Sequence, residues 1–240
     1  MSSGAYVALS GLRARMEQLD RLAADLANVN TSGYKGERVP TVAAERPNFG
    51  RALQSAIDVA PAPGRLDFRD GSLTTTGRAL DLGLDGPGFF VLESPAGPRY
   101  TRAGAFRRAA DGTLTSLEGL PVVGEKGPIK LPDDGEVSIA PDGTVRVGKT
   151  LVDRLRIADF ENYGVLSRED GARFRATTTA TARPANTAVR TGVLEQSNVS
   201  LVERMAQLTE VSRGFEALQR GLSVLMNDVY GRAINELGRR

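Results

Sequence analysis

The sequence predicts an α+β protein in which a discontinuous helical (coiled-coil) domain, formed from both termini, is combined with a central all-β domain. Two observations lead to this prediction. Near each end of the chain, apolar residues recur every three or four positions, which is the period of a helical seam. Between the ends, alternating apolar and polar residues are interrupted by Asp-Gly pairs, a pattern typical of short strands joined by tight turns.

Residues 1–35 are predicted to contain the N-terminal helix of the helical domain. Within residues 4–29, apolar positions alternate steps of three and four, which indicates an amphipathic helix with a coiled-coil period. Arg13 and Glu17 stand four apart on the polar face and support a helix. A helix that simply lies on its own domain is the alternative explanation of this segment. The seam consists of Leu9, Leu12, Met16, Leu19, Ala23 and Leu26.

The helical pattern stops at the polar sequence ANVNTSGYK, residues 27–35. Asn28 and Asn30 tolerate the left-handed backbone conformation that commonly ends helices, and Gly33 adopts it freely. Asn and Thr side chains can also bond the backbone groups that are freed at a helix end. The cluster is therefore predicted to form a polar corner where the chain leaves the helix.

The middle of the chain is predicted to consist of three parts. Residues 36–79 contain several Pro and Gly, which favours an extended connector with one short helix around residues 50–57. Residues 80–175 are predicted to form the central β domain, because VSIAPDGTVRVG (137–148) reads as strand, turn and strand. Residues 100–124 similarly predict two more strands about a turn. Residues 176–195 begin with a Thr- and Ala-rich run that lacks a helical period, and are predicted to be an extended return linker.

Residues 196–240 are predicted to contain the C-terminal helix of the helical domain. SNVS, residues 197–200, supplies Asn and Ser as N-cap candidates before it. Two rows of apolar residues make the stripe wider than a two-stranded seam needs, which suits a helix with more than one neighbour. The first row is Leu201, Met205, Leu208, Phe215, Leu222, Met226 and Val229, and the second is Val211, Leu218 and Leu225.

Two apolar helices at opposite ends of the sequence should pack against each other. A helical pair with such wide stripes offers too little partner surface to be firm by itself, and an exposed apolar stripe marks an interaction surface. We therefore expect the ends to become fully ordered only in an assembly. The alternative is a soluble binding module whose end helices form a private intramolecular pair.

Composition argues against an enzyme and against several kinds of ligand. The chain has no Cys and no His, which removes disulfides, thiolate sites, His-dependent nucleophiles and nearly all zinc chemistry. We expect no catalytic residues, cofactor, metal or small-molecule substrate. A net charge of +2 is too small to indicate nucleic acid. No apolar run is long enough to span a bilayer, and no cleavable secretory signal is expected at the N-terminus.

One motif, by contrast, would suggest a nucleotide-binding enzyme. Residues 143–150, GTVRVGKT, satisfy the phosphate-loop pattern of P-loop ATPases. A working loop follows a strand and opens a helix, whereas Thr-Val-Arg-Val alternates like a strand and Gly143 pairs with Asp142 as a turn. We therefore expect a hairpin at this position, and a nucleotide enzyme is the weakest of the three hypotheses.

Four dispersed motifs resemble those of the bacterial flagellar rod and hook proteins. SGLRARMEQLDRLAADLANVNTSGYKGERV resembles the N-terminal signature of that family, and DLGLDGPGFFVL (81–92) its Gly-Phe-Phe segment. YTRAGAFRRAADGTL (100–114) and the segment 192–222 resemble two further family segments in the expected order. GLDGPG departs from the family, which more often has Ala-Ile before the Gly pair. The motif positions that match, or that lie in the polar corner, are Ala27, Asn28, Asn30, Thr31, Gly33, Tyr34 and Lys35.

The resemblance implies a structural subunit of the flagellar rod, the torque-transmitting drive shaft of the basal body. Copies would assemble helically around an export channel with one another and with other rod proteins, and the terminal helices would form the inner tube. The chain would be exported by the flagellar type III apparatus. The polar corner then has two compatible interpretations, a helix end or a site that bonds neighbouring subunits.

Within the family, length and the closing AINELGR favour the proximal rod type. The distal rod type, or another rod or hook component, is the alternative. The residues expected to form inter-subunit contacts lie on the two seams: Leu9, Leu12, Met16, Leu19, Leu26, Leu201, Met205, Leu208, Val211, Phe215, Leu218, Leu222 and Met226.

Overall fold

The computed structural model describes residues 3–38, 64–133, 135–177, 180–185 and 187–237, with side chains described between residues 9 and 224 of these ranges. Within them, the chain forms two compact units. The helical unit contains two long helices, and the β unit contains Asn28–Gly36 and Leu66–Val199. The architecture is therefore α+β, as predicted. The short helix expected around residues 50–57 lies outside the described residues.

The helical unit is built on α1 (Ser3–Ala27) and α2 (Leu201–Leu237), which pack against each other. Gly11 faces the Leu218 side chain, and Gly214 faces Arg15. The two helices run antiparallel, because a later residue of α1 faces an earlier residue of α2. Over the part of the chain that the structure describes, neither helix is both long enough and apolar enough to cross a membrane.

Local polar contacts that the sequence indicates stabilise both helices. The Arg13 Nε donates to Glu17 Oε1 at 3.2 Å, so the pair four residues apart is confirmed. Ser200 is the N-cap of α2, because its Oγ accepts from the Glu203 N–H at 3.4 Å. Glu203 also places a negative charge in the first turn, where the helix dipole favours it.

The strands are short, and most lie in the β unit. Their bounds are β1 Glu37–Arg38, β2 Arg65–Leu66, β3 Leu73–Thr75, β4 Leu82–Asp85, β5 Phe89–Leu92, β6 Arg99–Thr101, β7 Phe106–Arg108, β8 Leu114–Ser116, β9 Val137–Ile139, β10 Thr144–Val147, β11 Thr150–Arg154, β12 Ile157–Asp159, β13 Leu166–Asp170, β14 Arg173–Ala176, β15 Arg183–Pro184, β16 Ala188–Thr191 and β17 Val193–Glu195.

Antiparallel pairing organises the β unit into one larger sheet and several small ones. The six-stranded sheet has the order β13-β14-β6-β5-β12-β15, and a three-stranded sheet has the order β11-β10-β9. Two-stranded ladders join β16 to β4, β17 to β3 and β7 to β8. The β3–β17 ladder pairs Leu73 with Glu195, so strands from both ends of the β unit's sequence lie side by side.

Strand β5 separates two hydrophobic clusters. Successive side chains of a strand point to opposite faces, so Phe90 and Leu92 enter one cluster while Phe89 and Val91 enter the other. All four are buried. Burial on both faces explains why this strand is continuously apolar rather than alternating.

The predicted hairpins are confirmed, and their turns share one design. Strands β9 and β10 pair across Asp142-Gly143, and β7 and β8 pair across Asp111-Gly112. In each turn the Asp Oδ1 accepts from the N–H of the Thr two residues later, at 3.0 Å. These hydrogen bonds lower the pKa of Asp111 and of Asp142 below the ordinary value of an aspartate.

The phosphate-loop pattern is a hairpin and not a nucleotide loop. Thr144–Val147 is strand β10, and Val147 pairs with Thr150 across a turn at Gly148 and Lys149. The Gly-Lys-Thr sequence therefore leads into strand β11 rather than into a helix. The backbone geometry that makes such a motif bind phosphate is not formed here.

Strands also lie on either side of residues 80–175. Strands β2 and β3 fall within the range predicted as a connector, and β15, β16 and β17 fall within the predicted return linker. These strands are only two to four residues long. A strand of that length has too few residues to show an alternating pattern.

Candidate functional site

The face of α1 that meets α2 is rotated from the predicted seam. Gly11, Arg15 and Asp25 face α2, and Leu22 is buried on the same side. At 3.6 residues per turn, this row lies about a quarter turn from the seam. Seam position Ala23 is exposed. Leu22, which is not among the predicted seam positions, is the buried neighbour of Ala23.

A similar displacement occurs on α2. Val211, from the second apolar row, is buried, and Leu218 of that row lies against Gly11. Leu201 and Met205, at the start of the first row, are exposed. The second row therefore supplies the contact with α1, while the beginning of the first row remains on the surface.

The apolar stripe, defined as the thirteen seam residues predicted above, is only partly used within the chain. Leu9 and Met16 on α1 are 61% and 59% exposed, and Met205 on α2 is 52% exposed. Leu201 is 44% exposed, Val211 is buried, and the side chain of Met226 lies outside the described residues. The half-buried members are Leu12, Leu19, Leu26, Leu208, Phe215, Leu218 and Leu222.

A buried ion pair joins the end of α1 to the start of α2. Asp25, which is 2% exposed, lies 3.1 Å from the Arg204 guanidinium. The same carboxylate accepts from the Glu37 N–H, and Arg204 donates to the Glu37 carbonyl at 2.9 Å. At this end of the two helices, the contacts between α1 and α2 are therefore polar. Sequence reasoning missed it, because an Asp at a helix end and an Arg 179 positions later carry no shared pattern.

The polar corner after α1 is built from successive turns. The Thr31 N–H donates to the Asn28 carbonyl, and the Tyr34 N–H donates to the Thr31 carbonyl. Among the described residues, positive φ values occur at glycines alone. Asn28 and Asn30 therefore do not use the left-handed conformation that they tolerate, because these turns satisfy the backbone without it.

Gly33 is the position in this corner that requires glycine. Its φ is +68°, and a Cβ atom there would lie 2.2 Å from the Ala103 backbone nitrogen. No larger residue fits so close to a neighbouring backbone. This part of the prediction is confirmed.

Tyr34 and Lys35 do not reach the surface. Tyr34 is 2% exposed, and the Arg168 guanidinium lies 4.1 Å from the centroid of its ring, in the geometry of a cation–π contact. Arg168 also donates to the Lys35 carbonyl. The last two positions of the motif are therefore buried inside the β unit and do not form a surface. Ala27 and Asn30 are exposed, while Asn28 and Thr31 are half-buried.

Lys35 is the centre of a buried ion cluster. Its Nζ donates to Glu195 Oε1 at 2.5 Å and to the Arg69 carbonyl at 2.6 Å. Glu195 Oε1 also accepts from the Gly71 N–H, and Glu195 Oε2 accepts from Arg102 at 3.3 Å. Lys35, Arg102 and Glu195 have side-chain exposures of 0%, 3% and 1%. Burial lowers the pKa of Lys35 below that of an ordinary lysine, and Glu195 acts in the opposite direction.

Asn198 completes a group of contacts that we call the junction, made of Gly33–Gly36, Asp67–Gly71 and Glu195–Asn198. Its Oδ1 accepts from the Gly36 N–H at 2.8 Å, and its Nδ2 donates to the Asp67 carbonyl at 2.7 Å. Asn198 was a candidate helix cap, and it instead clamps two other segments. Glu195 and Asn198 were not predicted as partners of Lys35, since no sequence signal links positions so far apart.

Comparison with known proteins places these features in a family. A model described as "Flagella basal body rod protein" matches residues 6–35. One described as "Flagellar hook protein FlgE/F/G D1 domain" matches residues 83–147, and "Flagellar basal body rod FlgEFG protein C-terminal" matches residues 190–225. The flagellar basal-body rod protein FlgF of Caulobacter vibrioides is 31% identical over 226 residues, covering 92% of each chain.

The chain belongs to the flagellar basal-body rod protein family. FlgF of Salmonella typhimurium is 32% identical to this rod protein over 249 residues and 97% of each chain. FlgG of Bacillus subtilis is 32% identical over 239 residues, covering 88% of this chain and 90% of its own. Several FlgF proteins match over nearly the whole length, so a FlgF-type rod protein is favoured over a FlgG type.

This rod protein is a structural subunit of the flagellar basal-body rod and not an enzyme. Both principal features of the site lie within family-matched segments. Lys35 ends the first matched segment, and Glu195 and Asn198 lie in the last. The predicted stripe falls in the same two segments, apart from Met226.

Proposed function

We propose that this protein is a proximal rod subunit that assembles helically, with copies of itself and with other rod proteins, around the flagellar export channel. In this proposal the terminal helices of many copies form the inner tube of the shaft, with coiled-coil-like packing along the predicted seams. Interdigitated helices with few voids give the stiffness that torque transmission requires. A head-to-tail contact that does not close on itself would extend the shaft.

The observation that carries this proposal is the incomplete burial of the apolar stripe within one chain. Leu9, Met16 and Met205 each expose more than half of their side-chain surface although their helices are already packed together. Large apolar side chains in such a row favour a further partner. A module with a private helix pair would be expected to bury this row between its own helices.

We further propose a division of labour along the chain. Residues 1–35 and 196–240 would supply the inner helical domain, and residues 80–175 the central β domain. Residues 36–79 and 176–195 would connect them and contribute the short outer strands of the β unit. The exposed part of the polar corner, Ala27 and Asn30, is the portion available to contact a neighbouring subunit.

Export through the flagellar type III apparatus is part of the same proposal. Helices whose apolar stripes are only partly buried gain less from packing than a closed core does and would unfold locally at lower cost. Such ends are suited to threading through a narrow channel before assembly.

Met205→Asp tests the proposal most simply. A charge at an exposed position should leave the unfolding free energy of the isolated protein within about 0.5 kcal/mol, but it should prevent incorporation into the rod and abolish motility. Ala206→Asp is the matched control, since Ala206 is also exposed on α2 but lies outside the stripe. It should support swimming. Normal rods containing Met205→Asp subunits would refute the proposed interface.

A further inference from the structure

We propose that the buried cluster of Lys35, Glu195 and Arg102 is a two-ended lock, which makes the segment Asn28–Gly36 and the segment Val193–Asn198 dock into the β unit together or not at all. The two segments come from opposite ends of the sequence, with 160 positions between Lys35 and Glu195. One follows α1 and the other precedes α2. All residues of the lock belong to the β unit.

The backbone makes each segment depend on the other. The Gly33 N–H donates to the Glu195 carbonyl at 2.8 Å, and the Asn198 N–H donates to the Tyr34 carbonyl at 3.3 Å. The Gly36 N–H then donates to Asn198 Oδ1. Asn28–Gly36 forms no strand of its own. Its docking therefore relies heavily on Glu195–Asn198 being in place.

Charge makes the dependence strict. If Lys35 entered its site without Glu195, a buried ammonium group would face Arg102 with no buried carboxylate beside it. The other carboxylate near Arg102 is Asp70, at 3.3 Å, and its side chain is 61% exposed. Burial of an uncompensated charge is strongly unfavourable. Lys35 thus cannot occupy its native position at low free energy before Glu195 arrives, whereas Glu195 is coupled to Asn28–Gly36 mainly through the backbone hydrogen bonds.

Arg102 holds the receiving end of the lock rigid. It donates to the Gly86 carbonyl at 2.8 Å, and its guanidinium lies 5.5 Å from the centroid of the Phe89 ring. Glu195 is therefore received by a preorganised donor on one side and by the Gly71 N–H on the other. Because Arg102 is held in place, it cannot move to compensate for the loss of a charged partner. The loss therefore weakens docking of the segments.

A buried ion cluster contributes little net stability compared with apolar packing, but it discriminates sharply between the right and the wrong arrangement. An apolar junction would tolerate either segment docked alone or shifted by one residue. The lock rejects both states. The lock therefore makes docking cooperative: Asn28–Gly36 and Val193–Asn198 are either both free or both docked in the β unit.

Amide hydrogen exchange on the full-length purified protein tests the lock. In Glu195→Gln, which keeps the side-chain shape but removes the charge, we expect exchange in Asn28–Gly36 to accelerate by about tenfold or more. Lys35→Met should also accelerate exchange in Val193–Asn198, but by a smaller factor, because Arg102 still faces Glu195 and strand β3 still pairs with Val193–Glu195. Strands β5 and β14 should keep their wild-type rates in both variants, which shows that the β unit is still folded.

Arg99→Gln is the matched control, because Arg99 is a buried arginine that pairs with Glu169 elsewhere in the β unit. It should leave both segments at wild-type rates. Should Lys35→Met unfold the whole protein, the milder Glu195→Gln decides alone. Faster exchange confined to the segment that carries the substitution, with the opposite segment unchanged, would overturn the lock.

Discussion

The helical unit and the β unit differ in how completely each buries its own apolar side chains. In the β unit, Phe90, Phe106 and Leu114 are fully buried. In the helical unit, Leu9 and Met16 remain largely exposed although α1 and α2 are packed together. The β unit thus has a closed apolar core, with Leu117 and Leu151 as exposed exceptions, whereas the helical unit exposes members of its predicted seam, a surface that fits a role in assembly.

The two units also use buried charge differently. The β unit surrounds Lys35 and Glu195 with hydrogen-bond partners on several sides. In the described part of the helical unit, Asp25 pairs with Arg204 near the end of α1. In both units, buried charged side chains therefore link segments that are distant in the sequence.

Core truncation should show the largest contrast between the units. Phe90→Ala removes a ring that is fully buried and packs edge-on against Phe106 at 5.1 Å. We expect a loss of about 3–5 kcal/mol of unfolding free energy. Met16→Ala should change it by less than about 0.5 kcal/mol, because the side chain is already mostly in water. Chemical denaturation of both variants checks the difference, and equal losses would contradict the comparison.

Neutralising the ion pair of the helical unit should have an intermediate effect. Asp25→Asn leaves the mostly buried Arg204 without its carboxylate, and we expect a loss of about 1–3 kcal/mol. Circular dichroism during denaturation would record it as an earlier loss of helix. Glu17→Gln is the control: it breaks a pair whose members are 83% and 37% exposed, so a change below about 0.5 kcal/mol is expected. Indistinguishable variants would mean that the helices do not depend on the buried pair.

The smallest effect is expected at the margin of the β unit, where Tyr163 donates to Asp159 Oδ1 at 2.9 Å. Burial, followed by this hydrogen bond, raises the pKa of Tyr163 from 10.0 to about 12. The folded state therefore holds the phenolic proton more tightly than the unfolded state. The resulting stabilisation is present below pH 10 and is lost as the pH rises from 10 through about 12.

Tyr163→Phe should remove this dependence. The stability difference between wild type and variant should shrink as the pH is raised from 9 to about 11.5. Urea unfolding at a series of pH values measures it. A difference that stays constant across that range would mean that the hydrogen bond to Asp159 does not distinguish the two states.

Local pattern predicted much of the fold. The Asp-Gly hairpins follow from turn chemistry, and the helices follow from apolar spacing. The rotation of the α1–α2 contact could not be predicted in this way, because Leu22 and Ala23 are both compatible with a seam when the partner helix is unknown. The side of α1 that meets α2 is the one on which Gly11 lies against Leu218 and Arg15 against Gly214.

The junction was beyond sequence reasoning for a different reason. Lys35 was predicted as a motif position, but its partner Glu195 lies on a three-residue strand within a range that showed no periodic pattern. A buried pair of opposite charges leaves no signal in composition. The pairing can be recognised only in the folded chain, where the β3–β17 ladder places Glu195 beside Leu73 near the start of the β unit.

Methionine oxidation in the free and the assembled protein shows whether neighbouring subunits cover the apolar stripe. Met16 and Met205 are exposed members of the stripe, on different helices. Peroxide treatment followed by peptide mass spectrometry should oxidise both readily in the purified subunit and several-fold more slowly in isolated basal bodies, with added free methionine reporting the oxidant dose. Equal oxidation rates in the two states would show that neighbouring subunits do not cover the stripe, and would contradict the account.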